Sequence, residues 1–294
     1  MLPDVVGDGP VDGAAMLRAG RAALVHAGLR AVRVEGPDAR GWLHDLVTAD
    51  VASLEPGALR SSLLLTPTGR IRAAFALAAE VGGFVLLQGD DQDDVGAALA
   101  PYVLSAAVAI RPDGRTFASV PDATGLPAPD GATWRPSLLP MRAPRGSLVA
   151  LDAAGLVALR AWCASAGVAE ATPADAERLR ITDGVPRFPV DVDDASLPAE
   201  AGWEDRIDRA KGCFLGQESV AKVANLGHPP RVVRALATTV AVAVGDAILA
   251  KGEPVGTVTS AVATADGGRC IGRLRWDARG ADLTTAAGIA LRTA

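Results

Sequence analysis

Cysteine and histidine are scarce in this sequence. Its 294 residues include three of each, and the cysteines, Cys163, Cys213 and Cys270, are odd in number and widely spaced. Because no Cys-x-x-Cys pair or His/Cys cluster occurs, we expect no metal site and no iron–sulfur site built by this chain alone. Unpaired thiols at such spacing fit a reducing, cytoplasmic compartment better than a disulfide scaffold.

An excess of positive charge is also missing. The net charge of −5 argues against a general electrostatic footprint for nucleic acid, so no direct nucleic-acid partner is expected. Lysine is rare against arginine, yet two of the three lysines, Lys211 and Lys222, and the only asparagine, Asn225, fall within residues 211–225. This segment escapes the Ala-, Arg- and Gly-rich bias of the chain, which suggests specific demands on its side chains.

Long uninterrupted apolar runs are absent as well. Apolar residues make up 49% and charged residues 21% of the chain, as in an ordinary globular protein. The apolar stretch 235–250 is strand-like and contains Gly245 and Asp246, so no membrane span is expected. Residues 1–10 are acidic and broken by glycine and proline, which does not resemble a signal peptide.

Periodicity and turn signals predict a mixed α+β chain in two regions. Residues 1–225 are expected to form one α+β unit, with two interleaved subdomains as the alternative. The segment Gly227-His228-Pro229-Pro230 marks the end of this region. Beyond it, residues 226–294 alternate and are rich in Val and Thr, which is typical of a small β-barrel. Helices are expected near residues 12–19, 37–47, 91–104, 152–166, 173–183 and 217–226, and residues 121–146 are expected to be an irregular connection.

The run 211–218, KGCFLGQE, is the best candidate for chemistry. Cys213 stands between glycines, two residues after Lys211 and near a predicted helix start. Cationic neighbours and helix N-termini stabilise thiolates, so a reactive thiol fits here. A buried structural thiol in a compact loop is an equally good interpretation from chemistry alone.

These residues resemble a known family. The run 211–218 resembles the signature of the YgfZ family of folate-binding proteins, which are implicated in iron–sulfur cluster maintenance. That family is related to aminomethyltransferase, the T-protein of the glycine cleavage system. Segments 36–57, 65–71, 179–186 and 197–202 are similar to parts that both families share. The resemblance implies an aminomethyltransferase-like folate-binding fold with a C-terminal small β-barrel.

The resemblance also implies functional residues. Glu200 is expected to contact the pterin of tetrahydrofolate or a one-carbon derivative, because a carboxylate can accept the pterin's adjacent N–H groups in parallel. Arg231 is expected to pair with the anionic folate tail, although Arg234 fits the register equally well. Cys213 would be the functional thiol, with Lys211 favouring the thiolate and Gln217 orienting the loop. For Glu200 and the arginines, solvated surface roles are the simpler alternative.

One departure separates the two families. The aminomethyltransferases carry an acidic pair after the second hairpin's Gly-x-Ile, one of which is the catalytic aspartate, whereas this sequence has Ala73 and Ala74 there. Loss of that acid would remove general acid–base help worth ~10²–10⁴-fold in rate. Asp90 and Asp91 lie nearby in a different register, where they fit a helix N-terminus. Whether the chain is an enzyme therefore remains open.

Three functions compete. The leading hypothesis is a tetrahydrofolate-binding accessory protein that supports iron–sulfur enzymes or their assembly proteins through Cys213. The second is an aminomethyltransferase or a folate-dependent demethylase that uses another acid. The third is a non-catalytic interaction scaffold, which predicts an empty or occluded central cavity.

Overall fold

The computed structural model describes residues 12–121, 133–138 and 146–294. Within them the chain forms α-helices α1 (Gly13–Arg18), α2 (Ala39–Leu46), α3 (Val95–Leu99), α4 (Ala153–Ala166), α5 (Pro173–Thr182) and α6 (Gln217–Leu226). Short 3-10 turns cover Ala100–Tyr102, Pro198–Glu200, Glu204–Arg206 and Trp276–Ala278.

Sixteen strands complete the described fold. The first ten are β1 (Ala22–Val25), β2 (Leu29–Glu35), β3 (Ala58–Leu65), β4 (Ile71–Glu80), β5 (Gly83–Gly89), β6 (Ala109–Asp113), β7 (Thr116–Pro121), β8 (Thr133–Leu138), β9 (Gly146–Leu151) and β10 (Ala169–Ala171). The last six are β11 (Arg231–Thr238), β12 (Ala247–Ala250), β13 (Glu253–Thr264), β14 (Gly267–Arg275), β15 (Leu283–Thr285) and β16 (Ala290–Thr293).

Strands β1 to β10 form one ten-stranded sheet in the order β10-β1-β7-β9-β8-β3-β4-β5-β2-β6. Strand β8 joins its two halves, because it pairs antiparallel with β9 and parallel with β3. The halves pack against each other through a shared apolar cluster, in which Phe117 and Leu148 of one half meet Leu59 and Val85 of the other. Helix α2 covers the opposite face of β4 and β5 through a second cluster that includes Leu43, Phe75 and Leu86.

Strands β11 to β16 close into a six-strand barrel in the order β11-β14-β13-β12-β15-β16, with β11 and β16 paired. Its interior is apolar and includes Leu236, Ile248 and Cys270. The predicted α+β class with a C-terminal β-barrel is therefore confirmed. The barrel begins at Arg231, just after the predicted linker, while the division into regions 1–225 and 226–294 stays a prediction.

Local signals account for several helix ends. Thr172 caps α5, and a reciprocal capping box joins it to Asp175, with Pro173 in the first turn. Gly167 ends α4 with φ +66°, a left-handed conformation that glycine adopts at no steric cost. The start of α5 and the end of α4 both match the sequence prediction.

Two sequence predictions were wrong. The helix expected over residues 91–104 is limited to α3 and a 3-10 turn, because Asp94 supplies the N-cap and Pro101 cannot continue an α-helix. The connection expected over residues 121–146 contains strand β8 at its centre, and its remaining residues 122–132 and 139–145 lie outside the described residues. None of the helices within the described ranges has the length and apolar character that crossing a bilayer requires.

Candidate functional site

A cavity of about 420 Å³ opens between the sheet, helix α5 and the loop that follows α5. Strand β4 contributes Ala74, the end of β5 contributes Gln88, helix α5 contributes Glu177, and the loop contributes Phe188 and Trp203. The volume falls in the range of ~300–1,000 Å³ that is typical of small-molecule sites. Because the cavity is open, the scaffold hypothesis stays compatible with the structure only in its form with an empty cavity.

The cavity wall combines aromatic rings with a buried arginine. Phe188 and Trp203 belong to the apolar cluster that also holds Ala74, and Trp203 is almost fully buried. The guanidinium of Arg206 stacks on Trp203, with 3.7 Å from its central carbon to the ring centroid. Burial lowers the pKa of Arg206 to about 9. That face of Trp203 is therefore taken by an arginine and is not free for a pterin ring.

Arg180 anchors the cavity floor to the barrel. Its side chain is 3% exposed and donates to the buried carboxylate of Asp191 at 2.7 Å and to Glu177 at 2.6 Å. It also donates at 2.8 Å to the hydroxyl of Ser260, which lies on barrel strand β13. Thr259 and Ser260 both donate to Asp191, at 2.6 and 2.7 Å. This network fixes helix α5, the barrel and the loop of residues 183–206, which we call the cavity loop, relative to one another.

The polar groups at the other walls are largely satisfied. The amide of Gln88 donates to the Asp93 carbonyl at 2.7 Å and accepts from the Val95 N–H at 2.6 Å. His26 and Ser119, both in the lining, share a hydrogen bond of 2.7 Å. Burial lowers the pKa of His26 to about 4, so the ring is neutral at physiological pH.

The two alanines at the lost acid position face opposite sides of strand β4. Ala73 is buried in the cluster beneath helix α2, whereas Ala74 lines the cavity and packs with Phe188 and Trp203. Successive side chains of a strand alternate between its faces, so only one residue of the pair can reach a ligand. The cavity-facing position of the pair is Ala74.

Three carboxylates remain in the described lining. Glu177 is held by Arg180 and Asp91 by Arg187, and Asp90 is exposed. Asp90 and Asp91 were expected to begin a helix, but they precede the Asp94 cap and line the cavity instead. None of these three carboxylates comes from strand β4, so none replaces an acid at the position of Ala74.

The loop of residues 211–216, which we call the cysteine loop, lies beside this cavity. Its Phe214 is buried in the same cluster as Ala74 and Trp203. Gly216 has φ +82°, and a Cβ there would lie 2.5 Å from the carbonyl oxygen of Thr66 in the turn between β3 and β4. Glycine is required at Gly216 both by its backbone conformation and by this close approach.

Lys211 anchors the cysteine loop to helix α2. Its ammonium donates to the carbonyls of Val47 at 2.6 Å and Ala49 at 3.1 Å, and also to the carbonyl of His44. Burial lowers the pKa of Lys211 to about 8, against the opposing charge of Asp45 and other carboxylates. Its three donors are thus committed to carbonyls, an arrangement different from the thiolate partner expected from the sequence.

Cys213 itself is exposed, whereas Cys163 and Cys270 are buried as expected. Burial raises the pKa of Cys270 to about 11, which makes that thiol a poor nucleophile. Helix α6 begins at Gln217, and Gly216 is its N-cap, so Cys213 precedes the helix and does not lie in its first turn. Gln217 is half-buried at the first helical position.

Glu200 is buried, at 2% exposure, and does not appear among the described residues of the cavity lining. Its carboxylate accepts a hydrogen bond from the Leu197 N–H at 3.2 Å and a second one from the guanidinium of Arg273, on barrel strand β14, at 3.4 Å. Its neighbour Ala201 packs in the cluster that contains Trp203. The carboxylate therefore lies at the junction of the cavity wall and the barrel, with two long contacts.

Arg231 is exposed at the start of β11 and, like Arg234, is not among the described lining residues. The structure does not bring it to the cavity. The arginines that do line the cavity, Arg180, Arg187 and Arg206, were not singled out from the sequence. Arg187 lies next to Phe188, but no spacing in the sequence reveals that this segment meets strands β4 and β5.

These features define a protein with an aminomethyltransferase-like fold and an internal ligand-sized cavity. No protein-family model and no curated protein matches the chain. Among solved structures, it is similar to the glycine cleavage system aminomethyltransferase T from Bartonella henselae, with a TM-score of 0.82. The sequences are 20% identical, and the match covers 96% of this chain and 87% of that one. A likeness at this identity shows the fold, and membership of the YgfZ family stays a prediction.

Proposed function

We propose that this chain binds a reduced folate in the central cavity. The observation that carries the proposal is the cavity of about 420 Å³, with aromatic and arginine side chains in its wall, formed in a fold like that of an aminomethyltransferase. A folate combines a flat heteroaromatic ring with an anionic tail. Phe188 and the neighbouring apolar wall suit the ring, and the arginines of the lining suit the tail.

We propose further that the bound folate serves an accessory role for iron–sulfur enzymes or their assembly proteins. Two features support this over aminomethyl transfer. Ala74 occupies the cavity-facing position where the related transferases carry an acid, and strand β4 contributes no carboxylate to the described lining. The run 211–218 resembles the YgfZ signature, and its Cys213 is exposed.

The role of Glu200 is part of this proposal and has a sharp test. Glu200 either accepts from the pterin directly or holds the barrel through Arg273. Glu200→Gln and Arg273→Met separate the two roles. If Glu200 contacts the pterin, Glu200→Gln loses tetrahydrofolate binding by calorimetry while Arg273→Met retains it. If the contact between them is only structural, both variants lower the melting temperature together and affect binding alike.

The iron–sulfur role is tested in cells. In a strain deleted for this gene, the wild type should restore the activities of iron–sulfur enzymes, and Cys213→Ala and Cys213→Ser should not. Cys163→Ala is the matched control, because that thiol is buried and is not part of the cysteine loop. Full restoration by Cys213→Ala would show that the cysteine has no such role.

The alternative of a folate-dependent aminomethyltransferase or demethylase keeps one observation in its favour. Asp90 is exposed in the lining and carries no ion pair within the described residues. Formation of methylene-tetrahydrofolate from a lipoyl-bound or methylated amine, abolished by Asp90→Asn, would support that alternative. Absence of turnover with Asp90 intact would eliminate it.

A further inference from the structure

Arg187 lines the cavity and has an unused donor. Its Nε is buried and has no hydrogen-bond acceptor among residues 12–121, 133–138 and 146–294. The side chain as a whole is 40% exposed, so the guanidinium spans from the cavity wall toward solvent. A buried N–H without an acceptor is unfavourable, and a ligand oxygen that accepts from it removes that cost.

The rest of the Arg187 side chain is held in place from two directions. Its Nη1 donates to the carboxylate of Asp91, which follows strand β5. Its backbone N–H donates to Asp191 at 2.8 Å, which ties it to the network beneath the cavity. The fork of an arginine has two usable edges, and the contact with Asp91 leaves the Nε edge for a planar oxyanion.

The other two arginines of the lining are less available. Arg180 donates to Glu177, Asp191, the Val185 carbonyl and Ser260. Arg206 is stacked on Trp203.

Charge in the lining favours a carboxylate over a phosphate. The described lining holds three arginines, Arg180, Arg187 and Arg206, and three carboxylates, Asp90, Asp91 and Glu177, and His26 is neutral. A balanced wall does not attract a polyanion by its net field, but one directed donor pair can bind one carboxylate.

We propose that the Nε edge of Arg187 binds a carboxylate of the ligand. This inference rests on the proposed folate function, where that carboxylate belongs to the glutamyl tail. Arg187 then takes the tail-binding role that the sequence suggested for Arg231, which is exposed at the start of the barrel.

The test compares ligands with and without the tail. Tetrahydrofolate and the tail-less 6-methyltetrahydropterin are titrated by calorimetry into the wild type, Arg187→Met and Arg231→Met. Loss of a charge-assisted hydrogen bond should weaken tetrahydrofolate binding to Arg187→Met by about 10- to 100-fold. Binding of 6-methyltetrahydropterin should be unchanged, and Arg231→Met should bind both ligands as the wild type does.

A second variant guards against a folding defect. Asp91→Asn keeps the Arg187 donors and removes the ion pair, so it should retain tetrahydrofolate binding. Equal weakening of both ligands by Arg187→Met, or no weakening of either, overturns the inference while the folate function stands. If Asp91→Asn loses tetrahydrofolate as completely as Arg187→Met, the ion pair and not the Nε edge is what matters, and the inference fails. If the folded wild type binds no tetrahydrofolate, the proposed function fails, and this inference with it.

Discussion

The buried carboxylate of Asp191 offers the strongest stability prediction. Asp191 is fully buried and accepts hydrogen bonds from Arg180, the Arg187 N–H, Thr259 and Ser260. These partners come from helix α5, the cavity loop and the barrel. Replacement by alanine removes the acceptor at the point where all three meet.

The expected loss follows from what remains behind. Without Asp191, Arg180 is still 3% exposed and retains only Glu177 as an anionic partner. Removing one member of a buried ion pair costs ~3–5 kcal/mol, because Arg180 loses its buried anionic partner and the hydroxyls of Thr259 and Ser260 lose their acceptor. At ~2–4 °C per kcal/mol for a chain of this order of size, Asp191→Ala should lower the melting temperature by about 6–20 °C.

Urea unfolding followed by tryptophan fluorescence measures this loss, with thermal melting as the second readout. Asp266→Ala is the matched control, because Asp266 pairs with Arg269 but its side chain is 68% exposed. Because water screens that exposed pair, Asp266→Ala should unfold at the same urea concentration and temperature as the wild type, within experimental error. If Asp191→Ala were within ~1 kcal/mol of the wild type, the buried network would not join the barrel to the cavity as described.

Three further predictions concern the cavity and the cysteine loop. Ala74→Asp should fold and place a carboxylate in the cavity, whereas Ala73→Asp should destabilise the protein by several kcal/mol in thermal melts, because it buries an unpaired charge beneath helix α2. Lys211→Met should lower the melting temperature by loosening the loop. Because burial lowers the pKa of Lys211 to about 8, the unfolded chain binds the extra proton between about pH 8 and 10.5, so wild-type stability relative to this variant should rise across that window. In the native protein, a maleimide should modify Cys213 and leave Cys270 unmodified by mass spectrometry.

Each of these predictions has a clear contrary result. Similar melting temperatures for Ala73→Asp and Ala74→Asp would mean that the strand faces are assigned wrongly. A stability difference between wild type and Lys211→Met that falls from pH 8 to 10.5 would contradict the direction of the lowered pKa. Labelling of Cys270 at the rate of Cys213 would contradict a closed barrel core.

Sequence patterns predicted the elements whose signals are local. Helices α4, α5 and α6 lie where they were expected, over residues 152–166, 173–183 and 217–226, and Thr172 and Asp175 form a capping box at the start of α5. These features depend on residues a few positions apart, so the chain itself specifies them.

The site depends on contacts that no local pattern encodes. Arg180 meets Ser260, which is 80 residues away, and Lys211 meets carbonyls more than 160 residues away. The resemblance pointed to Glu200 and Arg231, but it could not show that Glu200 contacts the barrel or that Arg231 lies outside the cavity. Which of Ala73 and Ala74 faces the cavity also required the alternation of side chains along strand β4.

Calorimetric titration of the purified protein with tetrahydrofolate tests the central claim most directly. We expect saturable binding by the wild type and weaker binding by Ala74→Leu, because the added side chain occupies the cavity next to Trp203. Ala73→Val, on the opposite face of strand β4, is the matched control and should bind as the wild type does. Absence of binding by the folded wild type, or equal binding by Ala74→Leu, would contradict a folate site in this cavity.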